Sequence, residues 1–247
     1  MQQTQKKLGD LDCVIVRDEN CETPSAVVIL SHGFGAPGGD LVSLANEFAQ
    51  LGSPFNSIVY VFPAAPIEMD PLFDSRAWWP IDMEKLQLMM MQGETRQMRV
   101  ESPEKLPACR VSLTKVIDHC RVDYSMPASK IVIGGFSQGS MLSTDVAIHY
   151  PEQLGGLIVW SGALINEKVW SPKANEIPAD QKLTVVQSHG RVDPVVPFAA
   201  GEDLRDMLTE TGHEVRFVEF NGQHSIPMQA ISQAAQLIKE VTSETSV

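Results

Sequence analysis

Long apolar runs and a recognisable secretion signal are both missing from this sequence of 247 residues. No stretch approaches the ~20 consecutive apolar residues that a membrane-spanning helix requires, so we expect no stable insertion into a membrane. The opening segment MQQTQKKLGD carries two lysines but lacks the apolar core of a signal peptide. These absences predict a cytoplasmic protein.

Cysteine is scarce, and its spacing does not suggest metal binding. The four cysteines are Cys13, Cys21, Cys109 and Cys120. They form no Cys-x-x-Cys pair, and without a secretion signal a disulfide framework is not expected, so we interpret them as reduced thiols. Since the sequence also has no cluster of His and carboxylate residues at ligand spacing, we predict no metal site.

Positive charge is also in short supply. The chain has 19 Lys and Arg residues against 31 Asp and Glu residues, which gives a formal net charge of −12 at pH 7. This surplus of negative charge argues against nucleic acid or an anionic membrane surface as the main partner. Because many soluble enzymes are acidic, the charge alone indicates no function.

The sequence does contain a regular alternation of segments with strand-like and helix-like apolar patterns. Predicted strands cover residues 12–17, 25–31, 57–62, 131–134, 157–160, 183–186 and 215–220. Predicted helices cover residues 41–51 after an Asp40 N-cap, 107–119, a segment starting at 138, 198–211 and 226–242, and residues 161–180 are predicted to be a loop. This alternation predicts an α/β fold, with a mostly parallel twisted sheet covered by helices on both faces in one domain spanning residues 1–247.

The segment Gly135-Phe136-Ser137-Gln138-Gly139 stands between a predicted buried strand and a predicted helix. In this context Gly-x-Ser-x-Gly is the pattern of a nucleophile elbow, a strained turn that lifts the serine hydroxyl clear of the sheet. We therefore predict Ser137 as a catalytic nucleophile. An ordinary strand-to-helix turn is the alternative if no catalytic partners follow.

A serine hydroxyl needs a base to remove its proton, and an imidazole held by a carboxylate is the common solution. On this type of sheet the acid and then the histidine follow the serine, on loops beyond the carboxyl ends of strands. Asp193 and His224 meet both conditions, and we predict them as catalytic. His189, at the start of the Asp193 loop, could instead shape that loop.

Other titratable residues are less well placed for catalysis. His213 precedes its predicted strand, so we expect it at the opposite edge of the sheet. Asp145, Asp203 and Asp206 lie within predicted helices, where we expect them on a solvated face.

Acyl transfer also needs donors for the tetrahedral oxyanion. One predicted donor is the backbone N–H of Gln138, the residue after the nucleophile. The other is the backbone N–H of Phe34, in the glycine-rich loop that follows the strand predicted at residues 25–31.

Four spaced motifs together resemble those of the phospholipase/carboxylesterase family of small serine hydrolases, which includes the acyl-protein thioesterases. The motifs are HGFGAPGGD, GGFSQGS, HGRVDPVVP and NGQHS. The resemblance implies an α/β-hydrolase fold without a large cap domain, with Ser137, Asp193 and His224 as the triad. It also implies hydrolysis of acyl esters or thioesters without a cofactor.

Residues 67–103 contain a Trp pair, Trp78 and Trp79, that resembles the family's Trp-containing loop beside the acyl pocket. Several methionines follow, and a flexible Met-rich surface suits varied apolar ligands. We predict that Trp78, Trp79, Met89 and Met90 bind substrate and that this segment is a partial lid. Simple packing of the tryptophans, and of a short helix on the core, is the alternative.

These observations predict a serine hydrolase that cleaves a small-molecule carboxylic ester or thioester through an acyl-enzyme intermediate. A (lyso)phospholipase, a peptidase-type acyl hydrolase and a polyester hydrolase stay open, as does a non-catalytic binding protein on the same fold. We expect a monomer or homodimer.

Overall fold

A computed structural model of the protein describes residues 1–243, except for the side chains of Met83, Gln87, Met89, Met90, Thr95 and Arg96. The strands are β1 (Gln2–Leu8), β2 (Leu11–Arg17), β3 (Ala26–Ser31), β4 (Ile58–Pro63), β5 (Ile67–Asp70), β6 (Ser75–Ala77), β7 (Ile131–Phe136), β8 (Gly156–Trp160), β9 (Thr184–Gly190) and β10 (Glu214–Phe220). The α-helices are α1 (Ser43–Ala49), α2 (Met83–Met91), α3 (Leu106–Asp123), α4 (Gln138–His149), α5 (Glu167–Glu176), α6 (Phe198–Glu210) and α7 (Met228–Ser243). Short 3-10 helices cover Phe55–Ser57, Thr95–Val100, Ala128–Lys130 and Ala179–Gln181.

Eight of the described strands form one sheet in the order β1-β2-β4-β3-β7-β8-β9-β10. The pairs β1–β2 and β2–β4 are antiparallel, and every other neighbouring pair is parallel. Strands β5 and β6 form a separate hairpin. The mostly parallel sheet predicted from the sequence is thus confirmed.

Strand β3 is buried on both of its faces, as its continuous apolar run predicts. Val27 and Ile29 pack into one hydrophobic cluster with residues of α3, α4 and α6. Val28 and Leu30 point to the other face and pack into a second cluster with residues of α1 and α7. Because successive strand side chains alternate between faces, one apolar run supplies both layers of the core.

The structure corrects the sequence prediction at three elements. Strand β1 was missed because six of its seven residues are exposed, so it has no buried apolar face to reveal it. Helix α5 occupies the segment predicted as a loop, and it contains Pro172 and buries only Trp170 and Ala174. Asp40 does not cap α1, which begins at Ser43 without a side-chain cap.

Strand β9 extends to Gly190 and is longer than predicted, so His189 belongs to the strand rather than to the loop. His213 does lie just before β10, as expected, and its Nδ1 accepts a hydrogen bond from the Leu183 N–H at 3.1 Å. Among residues 1–243, no helix combines the length and apolar character needed to cross a bilayer.

Candidate active site

Ser137 occupies a strained turn between β7 and α4. Its φ of 53° and ψ of −119° are unfavourable for a residue with a side chain. Its N–H donates to the carbonyl of Trp160 at 2.8 Å, which ties the turn to the end of β8. A Cβ atom added at Gly135 or Gly139 would lie 2.1 Å from the Ser31 carbonyl oxygen. Only glycine fits at these two positions, so the motif is required by close approach of β3 to the turn.

Asp193 and His224 are directly hydrogen-bonded. The Nδ1–H of His224 donates to Oδ2 of Asp193 at 2.7 Å. The backbone N–H groups of Val195 and Val196 donate to the other oxygen, Oδ1, at 2.8 and 2.9 Å. Burial opposes ionisation of Asp193, but the hydrogen bonds from His224 and the two N–H groups outweigh it and lower the pKa of the carboxyl. Asp193 is therefore held as a carboxylate that faces the imidazole.

The topology brings Ser137 to the same edge of the sheet as this pair. Strands β7, β8, β9 and β10 are parallel, and Ser137, Asp193 and His224 follow the ends of β7, β9 and β10. Ser137 and His224 line one cavity. The ring of Phe136, the residue before the serine, lies 4.6 Å from the imidazole of His224 between centroids. The structure thus gathers the residues predicted as nucleophile, acid and base.

The loop after β3 lies against the nucleophile. A Cβ atom added at Gly33 would be 3.4 Å from the Cβ of Ser137, so the loop backbone passes close to the serine. Phe34 and Gln138 both line the cavity. Within residues 1–243, neither the backbone N–H of Phe34 nor that of Gln138 has an acceptor. Both N–H groups therefore belong to residues that line the cavity with Ser137 and lack a partner among these residues.

His32 fixes this loop from within the core. Its Nε2 accepts from the Ala65 N–H at 3.0 Å, so its Nδ1 carries the hydrogen and donates to the Gly33 carbonyl at 2.8 Å. Burial lowers the pKa of His32, which keeps the imidazole neutral and suited to these two roles.

The cavity above Ser137 has a volume of about 540 Å³. Its lining residues are Gly33, Phe34, Ala36, Asp40, Trp79, Pro80, Ile81, Asp82, Lys85, Leu86, Met98, Glu101, Pro103, Phe136, Ser137, Gln138, Met141, Ile165, Val195, Val196 and His224. Most of these residues are apolar, and many come from residues 67–103. A cavity of this size and character suits an apolar ligand.

The residues predicted to bind substrate have different positions. Trp79 lines the cavity, whereas Trp78 is absent from the described wall and is completely buried. The indole Nε1–H of Trp78 donates to the His32 carbonyl at 2.9 Å. The side chains of Met89 and Met90, on α2, lie outside the described part of the structure.

The side chain of Gln138 has a role that the sequence did not reveal. Its Oε1 accepts from the Trp78 N–H at 2.9 Å, and its Nε2 donates to the Trp79 carbonyl at 2.8 Å. Gln138 is 1% exposed. It therefore links the first turn of α4 to the wall of the cavity, a contact between residues that are distant in sequence.

The expectation that Asp145 lies on a solvated face is wrong, because its side chain is completely buried in α4. Arg110 of α3 donates to its Oδ2 at 2.6 Å, and the indole of Trp170 donates to its Oδ1 at 2.7 Å. The carboxylate joins three helices and is not part of the cavity wall. Within residues 1–243, no group of three or more His, Cys, Asp or Glu residues could hold a metal ion.

Known proteins resemble this chain over most of its length. The family model for Phospholipase/Carboxylesterase matches residues 13–242. Acyl-protein thioesterase 1 homolog 1 of Dictyostelium discoideum is 30% identical over 211 residues, which are 83% of this chain and 86% of the relative. Acyl-protein thioesterase 1 of Candida albicans is 26% identical over 231 residues, 90% of this chain and 94% of the relative.

Two solved structures share the fold. The crystal structure of esterase PE8 has a TM-score of 0.75 and 20% identity, and the match covers 98% of this chain and 100% of that one. A carboxylesterase from Mesorhizobium loti has a TM-score of 0.72 and 14% identity, with 96% and 98% of the two chains covered. The α/β-hydrolase fold is therefore confirmed, and residues 1–243 contain no large cap domain.

Proposed function

The chain belongs to the phospholipase/carboxylesterase family of hydrolases, and on that basis we propose that it cleaves carboxylic esters or thioesters with Ser137, His224 and Asp193 as its catalytic triad. The observation that carries this proposal is the hydrogen bond between Asp193 and His224 at the edge of the cavity that contains Ser137. A binding protein that had lost catalysis would have no need to keep all three side chains in this arrangement.

In the proposed reaction, Nε2 of His224 removes the proton of Ser137 as the serine oxygen attacks the acyl carbon. The backbone N–H groups of Phe34 and Gln138 bind the oxyanion of the tetrahedral intermediate. His224 then gives its proton to the departing alcohol or thiol, which leaves an acyl-enzyme. Water, activated by the same imidazole, releases the acid. Asp193 keeps the hydrogen of His224 on Nδ1 and stabilises the imidazolium.

We propose that the acyl group occupies the apolar part of the cavity. Residues 67–103 would then act as a partial lid within a single domain of residues 1–247. Two contacts anchor the part of this segment that faces the cavity. The Gln138 side chain forms hydrogen bonds with the backbone of Trp78 and Trp79, and Arg99 forms an ion pair with Glu167 of α5. The apolar wall supports an apolar acyl chain, and the names of the relatives favour including thioesters among the substrates.

The remaining parts of the proposal concern the state of the protein in the cell. We propose a cytoplasmic enzyme that acts as a monomer or homodimer on an acyl ester or thioester. Size-exclusion chromatography with light scattering measures the oligomeric state directly, and a larger assembly would contradict this part of the proposal.

The decisive experiment compares the wild-type protein with Ser137→Ala. Hydrolysis is measured on p-nitrophenyl esters of graded chain length and on thioesters with the same acyl groups. We expect Ser137→Ala to lose about 10⁴-fold or more in kcat, and Ser232→Ala, on the exposed face of α7, to keep full activity.

Trapping with a fluorophosphonate, followed by mass spectrometry, identifies the nucleophile independently. We expect the label on Ser137. A label on another residue, or ester hydrolysis that survives Ser137→Ala, would show that the assignment is wrong. Absence of turnover on every ester and thioester would favour the binding protein instead.

A further inference from the structure

A second imidazole lies beside the proposed catalytic acid. His189 is in β9 and is completely buried. Its Nε2 lies 2.9 Å from the carbonyl oxygen of Val196 and 3.5 Å from Oδ2 of Asp193. It does not line the cavity, so it has no route to the substrate.

The hydrogen-bonding state of His189 follows from these contacts. The Val196 carbonyl can only accept a hydrogen bond, so Nε2 of His189 carries a hydrogen. Burial lowers the pKa of His189, which favours the neutral ring and leaves Nδ1 without a hydrogen. Among the described residues this Nδ1 makes no hydrogen bond of normal geometry, although a backbone group of Gly162 lies close to the ring.

The position of the ring is closely constrained. A Cβ atom added at Gly201 of α6 would lie 2.3 Å from Nδ1 of His189. The ring of Phe198, at the start of α6, meets the imidazole edge-on with centroids 5.9 Å apart. Helix α6 therefore packs directly against the ring and holds its Nε2–H toward the loop that carries Asp193.

That loop is fixed from two directions. The N–H groups of Val195 and Val196 donate to Oδ1 of Asp193, while the carbonyl of Val196 accepts from His189. The Nε2–H of His189 also faces Oδ2, the oxygen that binds His224. His189 thus closes the turn that carries the acid and limits rotation of the carboxylate.

We propose that His189 is a positioning residue that acts through Asp193 and keeps its carboxylate aligned with His224. This inference rests on the proposed function, because it assumes that Asp193 is the catalytic acid. The alignment matters most when His224 becomes an imidazolium, since a rotated carboxylate would no longer stabilise the new charge. Loss of His189 should therefore lower kcat and leave KM unchanged.

The test is a double-mutant cycle in the full-length protein. His189→Leu removes the Nε2–H, and His189→Gln keeps an amide N–H at nearly the same reach. Each substitution is made in the wild type and in Asp193→Asn, and kcat and KM are measured on a p-nitrophenyl ester. We expect His189→Leu to lower kcat by about tenfold or more, with KM unchanged and most of the loss restored in His189→Gln.

In the Asp193→Asn background, we expect His189→Leu to cause no further loss of kcat, because there is no carboxylate left to align. An equal loss in both backgrounds, or an equal loss with Leu and Gln, would indicate a merely structural role and overturn the inference. An Asp193→Asn variant with unchanged kcat would instead refute the proposed catalytic acid.

Urea unfolding of each variant shows whether it is folded. If His189→Leu does not fold, His189→Asn takes its place in the cycle, because its shorter amide cannot reach the Val196 carbonyl. We then expect His189→Asn to have a kcat about tenfold below that of His189→Gln, and equal values for the two variants would overturn the inference.

Discussion

Replacing Gln138 with leucine should destabilise the protein strongly, although the substitution conserves approximate size. The Gln138 amide pairs with the Trp78 N–H at 2.9 Å and with the Trp79 carbonyl at 2.8 Å. Leucine leaves both of these backbone groups without partners. Each buried unpaired group costs about 1–3 kcal/mol, so we expect a loss of roughly 2–6 kcal/mol in the free energy of unfolding.

Urea unfolding followed by circular dichroism measures this loss. For a chain of this size each kcal/mol corresponds to about 2–4 °C in Tm, so Tm should fall by about 4 °C or more. The urea midpoint should fall while the m-value is unchanged, because the same surface is exposed on unfolding. Trp79 lines the cavity, so KM for long-chain esters should also rise.

The matched control is Gln236→Leu on α7. Gln236 is exposed and donates to Glu240 at 3.0 Å, so its loss should change the free energy of unfolding by less than about 0.5 kcal/mol. If Gln138→Leu were as stable as this control, the two hydrogen bonds would not hold the Trp pair, and the argument about the cavity wall would be refuted.

Three further predictions concern pH, backbone packing and the cavity. Burial lowers the pKa of His213 to about 4, so the unfolded chain binds more protons below pH 6.5. This one histidine should therefore lower the free energy of unfolding by about 3 kcal/mol between pH 7 and pH 4, and non-titrating His213→Asn should remove that contribution in urea unfolding. Gly139→Ala should lower the free energy of unfolding in urea by about 3 kcal/mol or more, because the new Cβ would lie 2.1 Å from the carbonyl oxygen of Ser31 in β3. Gly39→Ala is the control and should be tolerated, because the atom nearest to its new Cβ is 3.9 Å away. Leu86→Trp should fill part of the cavity and shift ester kinetics toward shorter acyl chains, whereas exposed Leu88→Trp should not.

The features that the sequence predicted are those with local causes. The glycines on either side of Ser137 are required because neighbouring backbone approaches them closely. This steric requirement is visible in the sequence as the Gly-x-Ser-x-Gly motif. The loops with Asp193 and His224 follow β9 and β10, whose positions the sequence pattern predicted at residues 183–186 and 215–220. Parallel strands then bring their carboxyl ends to one edge of the sheet, so chain order and strand position were enough to select the candidate acid and histidine.

Other features depend on contacts that no local pattern reveals. Strand β1 is a polar edge strand, stabilised by its ladder with β2 rather than by burial of an apolar face. Asp145 carries the sequence pattern of an exposed helical residue, yet Arg110 and Trp170 pair with its buried carboxylate from helices far along the chain. Burying such a charge is possible only because both partners arrive through tertiary packing, and this could not be foreseen from the helix itself.

One hydrogen-bond network connects the proposed oxyanion donors to the cavity wall. The His32 carbonyl accepts from the Trp78 indole, and the Gln138 side chain binds the backbone of both tryptophans. Phe34 follows His32 by two residues, and the other proposed donor is the N–H of Gln138 itself. The two oxyanion donors and the wall that would hold the acyl group are therefore positioned by the same contacts. A substitution that moves the wall should also move the donors, so acyl-chain preference and kcat should change together in variants of this network.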